Sequence, residues 1–188
     1  TGLMIKIFKP DKKMRNNLKL FQYCGVSTTL WGLVFGSIFG DAPAAIAKLI
    51  TEGCTQFYCG MAQGFDIAAG EHVALLKKLR PDIKLIGVVP FKGQEEKWTK
   101  KWQDRYFALL KDCDEVITLN DEYTRWSFSQ RNRYMVDRSR YCITYFDGKT
   151  GGTESTLKYA SKNGRQIINI YDTDPNEAAK SRYKCRLY

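Results

Sequence analysis

The chain has 188 residues, 44% hydrophobic and 13% aromatic, with 30 Lys and Arg against 20 Asp and Glu, a net charge of +10 and a pI near 9.3. That apolar fraction excludes a disordered polyelectrolyte and suffices for one domain with short extensions. The basic balance points to an anionic partner (a nucleotide, a nucleic acid or a membrane surface) or, more plainly, to basic solvated faces.

Residues 1–17 are polar, basic and weakly patterned, and read as an N-terminal extension. "LKLFQYCG" (18–25) reads as a strand ending in glycine. "LWGLVFGSIFG" (30–40) is apolar but too short and too broken by glycine to span a bilayer, so no membrane partner is expected. "APAAIAKLITEG" (42–53) reads as a helix closed by Gly53, with Asp41 as a candidate N-cap. "CTQFYCG" (54–60) is a short strand. In "DIAAGEHVALLKKLRP" (66–81), Ala69, Val73 and Leu76 recur at helical spacing and Pro81 stops the run.

"IKLIGVVPF" (83–91) is apolar on both faces, as in a parallel strand covered by helices. "EEKWTKKWQDRYFALLKDC" (95–113) sets Trp98, Trp102, Tyr106 and Leu109 on one helical stripe. Strands follow at 115–120, 141–146 and 165–171, separated by helices around 126–138 and 153–163. The tail 173–188 is basic and unpatterned. Alternating strands and helices imply an α/β fold: a doubly wound, mostly parallel sheet flanked by helices, occupying about 18–172.

The six cysteines form no CxxC pair, and most lie in or beside apolar runs, which suits small hydrophobes in a reducing cytoplasm. With His72 the single histidine, no multi-histidine metal site can form, and neither a metal nor a cofactor is expected. His72 is assigned no chemistry.

Ligands of such sheets bind beyond the carboxyl ends of the strands. Three glycine-bearing turns fall at those ends: "CGVSTTLWG" (24–32), "CGMAQGFD" (59–66) and "DGKTGGTEST" (147–156). Glycine lets the main chain approach a guest, and a helix opening directly after the turn favours phosphate or carboxylate. Gly151, Gly152 and Thr153 therefore read as a phosphate cradle. Any one such turn is more often plain strand-to-helix packing; three at one edge are harder to dismiss. "GKT" (148–150) is not a Walker motif, because the wider glycine pattern is missing.

Asp66 reads first as a helix cap and second as a ligand for a ribose hydroxyl or base edge. Arg131, Arg133, Arg138 and Arg140 form a basic run, ordinarily a solvated helix face. Arg131 and Asn132 nevertheless stand close enough in sequence to the third turn to reach a bound phosphate and a base or ribose. Gln94, after another strand end, is a further lining candidate, as is Trp98, which reads equally as core.

"GMAQGFDIAAGEH", "IKLIGVVPFKGQEEKW", "RYFALLKDCDEV", "RNRYMVDRSRYCITYFDG" and "GGTESTLKYASKNGRQIINIY" together resemble the uncharacterised YpsA-like family, across about 18–171 and in the family order. That family belongs to the SLOG superfamily of Rossmann-like domains, with DprA and the LOG enzymes as relatives. The resemblance implies a pocket for a nucleotide-derived ligand, built from Gly60, Met61, Ala62, Gly64 and Asp66, from Arg131 and Asn132, and from Gly151, Gly152 and Thr153, with Glu154 beside them. In the first turn Gly25 is kept, but Val26, Ser27 and Thr28 stand where the family usually carries His-Arg-Pro, which leaves Ser27 and Thr28 as neutral donors. Glu154 follows Thr153 directly, a register unlike that of the LOG enzymes, so their glycosidase activity is not carried over.

The expectation is a sensor or sequestering protein for a nucleotide or ADP-ribose-like molecule, without an assigned catalytic residue. The alternatives are DprA-like binding of single-stranded nucleic acid, and hydrolysis of an N-glycosidic or phosphoester bond with Asp66 or Glu154 as acid or base. Pairing into a homo-oligomer is left open.

Overall fold

A computed structural model of the chain describes residues 42–171. The expected strand at 18–25, the turn with Gly25, Ser27 and Thr28, Asp41 and both terminal extensions lie outside the described residues. The order within them is α1 (Ala42–Thr51), β1 (Gln56–Cys59), α2 (Phe65–Leu79), β2 (Lys84–Val89), α3 (Lys100–Asp112), β3 (Glu115–Thr118), α4 (Ser127–Asp137), β4 (Tyr141–Thr144), α5 (Gly152–Lys162) and β5 (Gln166–Asn169).

Every strand pairing among the described residues is parallel. β1, β2 and β3 form one ladder in that order, with Cys59 opposite Gly87 and Val89 opposite Thr118. β4 pairs with β5, with Thr144 opposite Asn169. A parallel ladder needs a crossover between strands, and here a helix supplies each one. Side chains alternate between two apolar layers. Phe57, Leu85 and Val89 join Ile46, Leu49, Val73, Leu76 and Leu109 from α1, α2 and α3. Tyr58, Ile86 and Val88 join Met135, Val136, Leu157 and Ala160 from α4 and α5. The strands are thus covered on both faces, a Rossmann-like α/β arrangement. Fully burying each such side chain contributes about 1.5–3 kcal/mol, so β2, buried from Leu85 to Val89, anchors the fold. β3 is largely exposed, with Val116 at 44%, as befits a ladder edge.

Polar ties fix the crossovers. Asp114 Oδ2 accepts from Lys77 Nζ at 2.7 Å and from Leu85 N at 2.8 Å, joining α2, β2 and β3. Arg105 grips Glu71 with two bonds of 2.8 and 2.6 Å between α3 and α2.

Two boundaries differ from the sequence reading. The helix expected from 95 starts at Lys100, because Gly93 takes φ +75° and residues after it coil as turns, with Trp98 N donating to Glu95 O at 2.9 Å. Trp98 still packs on the core, partly buried, with its ring 5.4 Å from Tyr106. Asp66 does not cap α2. Gly64, at φ +92°, holds the N-cap position without a side-chain bond, and Asp66 sits inside the first turn. No helix among the described residues is long and apolar enough to cross a membrane.

Candidate functional site

Two of the expected glycine turns fall within the described residues, and they are built differently. After β1 the chain passes Gly60, and Met61 takes φ +55°, a conformation strained for a side-chain-bearing residue. Both carbonyls of this step are taken by side chains. Arg131 Nη1 donates to Gly60 O at 2.7 Å, and Gln94 Nε2 donates to Met61 O at 3.0 Å. The Ala62 N–H goes to Asp66 Oδ2 at 3.4 Å. Gly60 is required by space. A β-carbon there would lie 2.5 Å from Asp66 Oδ2, 3.1 Å from Met135 Cε and 3.3 Å from Arg131 Cζ. The main chain is wedged between a carboxylate and a guanidinium.

Both charged groups are inside the protein: Asp66 is fully buried and Arg131 is 2% exposed. Burial pushes the Asp66 carboxyl up to about 6, against the pull of the Arg131 charge and the Ala62 amide. Burial likewise lowers Arg131, while Asp66 and Cys59 pull it back up. Asp66 Oδ1 has no hydrogen-bond partner among the described residues.

Arg131 and Asn132 lie on α4, and Arg131 is inward because Ser127, Arg131 and Met135 share its buried stripe. Arg131 Nε and Nη2 both donate to Asn132 Oδ1, at 3.0 and 2.9 Å. Asn132 Nδ2 donates onward to Thr156 Oγ1 at 2.7 Å, whose hydroxyl donates to Gly152 O at 2.7 Å. A relay of side chains therefore runs from Gly60 to Gly152. It spends the Arg131 guanidinium on protein acceptors, and it carries one residue, Thr156, that the sequence reading missed. Its spacing of four from Gly152 on a helix start was the available signal.

The turn after β4 is open. Gly151, Gly152 and Thr153, with Asp147, Lys149 and Thr150, line a cavity of about 300 Å³. Tyr145 and Tyr171 line it too, with Phe146, which is largely buried in the core. A β-carbon on Gly151 or Gly152 would meet nothing within 4 Å. α5 opens at Gly152, so the first amides of an eleven-residue helix face outward here with the positive end of its dipole. The Lys149 ammonium pairs with Asp147 and holds that carboxyl below its usual range.

Asn169 clips the cavity floor together. Its Oδ1 accepts from Phe146 N at 3.0 Å and Tyr171 N at 3.3 Å, and its Nδ2 donates to Phe146 O at 3.0 Å. Tyr145 meets Tyr171 edge-on at 4.9 Å and stacks on Phe65, the first residue of α2, at 6.2 Å. Tyr145 and Tyr171 were not singled out from sequence, where they read as strand residues. Glu154 is paired with Lys158 at 2.7 Å. Gln94 is buried at the turn after β1 and does not line the cavity. Among the described residues no group of three His, Cys, Asp or Glu side chains gathers to hold a metal.

A parallel, doubly covered sheet with a glycine turn and a helix start at the carboxyl ends of its strands defines a Rossmann-like domain with an edge-of-sheet cavity. Residues 43–183 match the sequence model of the YpsA family, described as "YspA SLOG family", and the chain belongs to that family. It is 34% identical over 143 residues to the uncharacterized SPbeta prophage-derived protein YoqJ of Bacillus subtilis, covering 68% of this chain and 84% of YoqJ. It is 26% identical over 144 residues to a UPF0398 protein of Bacillus licheniformis, covering 74% of this chain and 79% of that one. A UPF0398 protein of Staphylococcus epidermidis is 30% identical over 116 residues, covering 61% and 60%.

Proposed function

We propose that this protein binds a nucleotide or nucleotide-derived molecule in the cavity beside the third glycine turn. The observation that carries the reading is the composition of that cavity: Gly151–Thr153, at the start of α5, line it together with Tyr145, Phe146 and Tyr171. A phosphate fits beside the glycines, where main-chain N–H groups and a helix dipole favour negative charge. A base or ribose fits beside the tyrosines, where flat rings reward stacking. About 300 Å³ is at the lower end of small-molecule sites and suits a guest of mononucleotide size.

Binding is favoured over turnover. The carboxylate on the cavity wall, Asp147, is kept ionised by Lys149, and no histidine or cysteine lines the cavity. Asp66 is buried away from that lining, and Glu154 is ion-paired. The turn after β1, Gly60 to Asp66, acts in this reading as a support, with Arg131, Asn132 and Thr156 transmitting its position to Gly152.

A thermal-shift screen of adenine and guanine nucleotides and of ADP-ribose, alongside mass spectrometry of copurifying small molecules, tests the reading. The expected result is a rise in melting temperature with at least one nucleotide that Gly152→Asp abolishes, since a carboxylate there repels phosphate. No shift with any nucleotide, or an undiminished shift in Gly152→Asp, contradicts it.

A further inference from the structure

Residues 122–128, "EYTRWSF", leave β3 carrying three aromatic side chains, and the fold buries none of them fully. Tyr123 is 60% exposed, Trp126 57% and Phe128 44%. Rings left out in this number mark a surface that something else covers. They are also held in place. Ser127 Oγ, itself buried, accepts from Thr124 N at 2.9 Å and lies 3.0 Å from Thr124 Oγ1. Trp126 N donates to Thr124 Oγ1 at 3.3 Å, and Asn120 Nδ2 ties the segment to Pro90 O at 2.7 Å. Phe91 supports the cluster edge-on, 5.3 Å from Tyr123 and 5.7 Å from Phe128. The Arg125 guanidinium lies 4.6 Å over the Trp126 ring.

We infer that Tyr123 and Trp126 form a stacking platform for the bases of a single-stranded oligonucleotide. Such a strand offers flat rings alternating with negative charges. This segment offers flat rings interleaved with a cation, on a chain of net charge +10. The platform stands where β2 and β3 end, on the β1–β2–β3 ladder, whereas the cavity follows β4 and β5. Phe128 links it inward, with Arg131 5.7 Å from its ring centre and bonded to Gly60 O. Charge alone does not drive the contact. Asp121 is paired with Lys92, and Glu122 in the same turn opposes a phosphate backbone. Stacking is sequence-tolerant because every base has a π-face, so base identity matters little and base presence matters a great deal. The inference stands apart from the cavity reading and uses none of its residues.

The test is a fluorescence and anisotropy titration with oligodeoxythymidine of about twelve nucleotides, set beside a base-free strand of the same length. The thymidine strand is expected to quench the tryptophan emission and to bind from five- to a hundredfold more tightly than the base-free strand. Trp126→Ala removes the quench and weakens binding by a similar factor, and Tyr123→Ala weakens it less. Both side chains are exposed, so the melting temperature of each variant stays at the parent value. Equal binding of the two strands overturns the inference. So does unchanged binding in Trp126→Ala, including the case where that variant instead loses a concentration-dependent self-association. Failure of the cavity reading shows separately, as absence of mononucleotide binding while the thymidine strand still quenches.

Discussion

The turn after β1 and the turn after β4 share glycines, a strand before and a helix after, yet they are opposites in what holds them. The first is closed: its carbonyls go to Arg131 and Gln94, its Ala62 amide goes to Asp66, and a β-carbon at Gly60 has no room. The second is open: β-carbons at Gly151 and Gly152 meet nothing within 4 Å, and its residues line a cavity. Glycine in the first serves packing between buried charges. Glycine in the second leaves space for a guest. Similar letters at equivalent positions of a fold therefore carry different work, and the partners of the carbonyls reveal which.

Variants of the two turns separate these roles. Arg131→Met has the largest expected effect. It leaves Gly60 O without its donor and Asp66 without its counter-charge in a dry site, a loss of about 3–5 kcal/mol in chemical denaturation. A loss under 1 kcal/mol breaks the picture of a closed turn.

Asp66→Asn is read through its pH dependence. The folded-state carboxyl, at about 6, sits above its ordinary value of 3.8. The folded protein therefore keeps a proton that the unfolded chain releases between those values. Stability attributable to Asp66 is highest below about pH 4, falls as pH rises to 6, and is flat beyond. Asn does not titrate, so the variant loses that slope between about pH 4 and 6, while at higher pH it also leaves the buried Arg131 without its counter-charge. Denaturation midpoints at pH 4, 6 and 8 for parent and variant read this directly; an unchanged slope refutes it.

Gly60→Ala forces a methyl to within 2.5 Å of a carboxylate oxygen and costs roughly 1–3 kcal/mol through local displacement. Gly152→Asp has the smallest effect on stability, within about 0.5 kcal/mol, since its β-carbon meets open space and an acid suits a helix start. Its effect is on nucleotide affinity, expected to fall tenfold or more in calorimetry.

Much of this architecture is legible in the sequence because parallel strands buried on both faces leave unbroken apolar runs, as in "IKLIGVV", and helices leave stripes such as Ala69, Val73 and Leu76. What misled is equally physical. Trp98 and Trp102 repeat at helical spacing, yet Gly93 delays the helix until Lys100. Asp66 follows a loop as a cap would, yet Gly64 starts the helix earlier and turns the carboxylate back to Ala62.

Arg131 hides in a basic run that reads as solvated surface. Only its spacing of four from Ser127 and from Met135 marks it as inward. The cavity's aromatic lining was not legible, because Tyr145 and Tyr171 come together only when β4 and β5 pair and Asn169 clips their ends.

The most direct measurement of the contrast is a titration of isotope-labelled protein with ADP-ribose or AMP, following each backbone amide by NMR. The account predicts that the amides of Gly151, Gly152, Thr153 and Glu154 move most, while those of Gly60 to Gly64 shift little. Large shifts across Gly60 to Gly64 with a silent Gly151–Glu154 segment would contradict it.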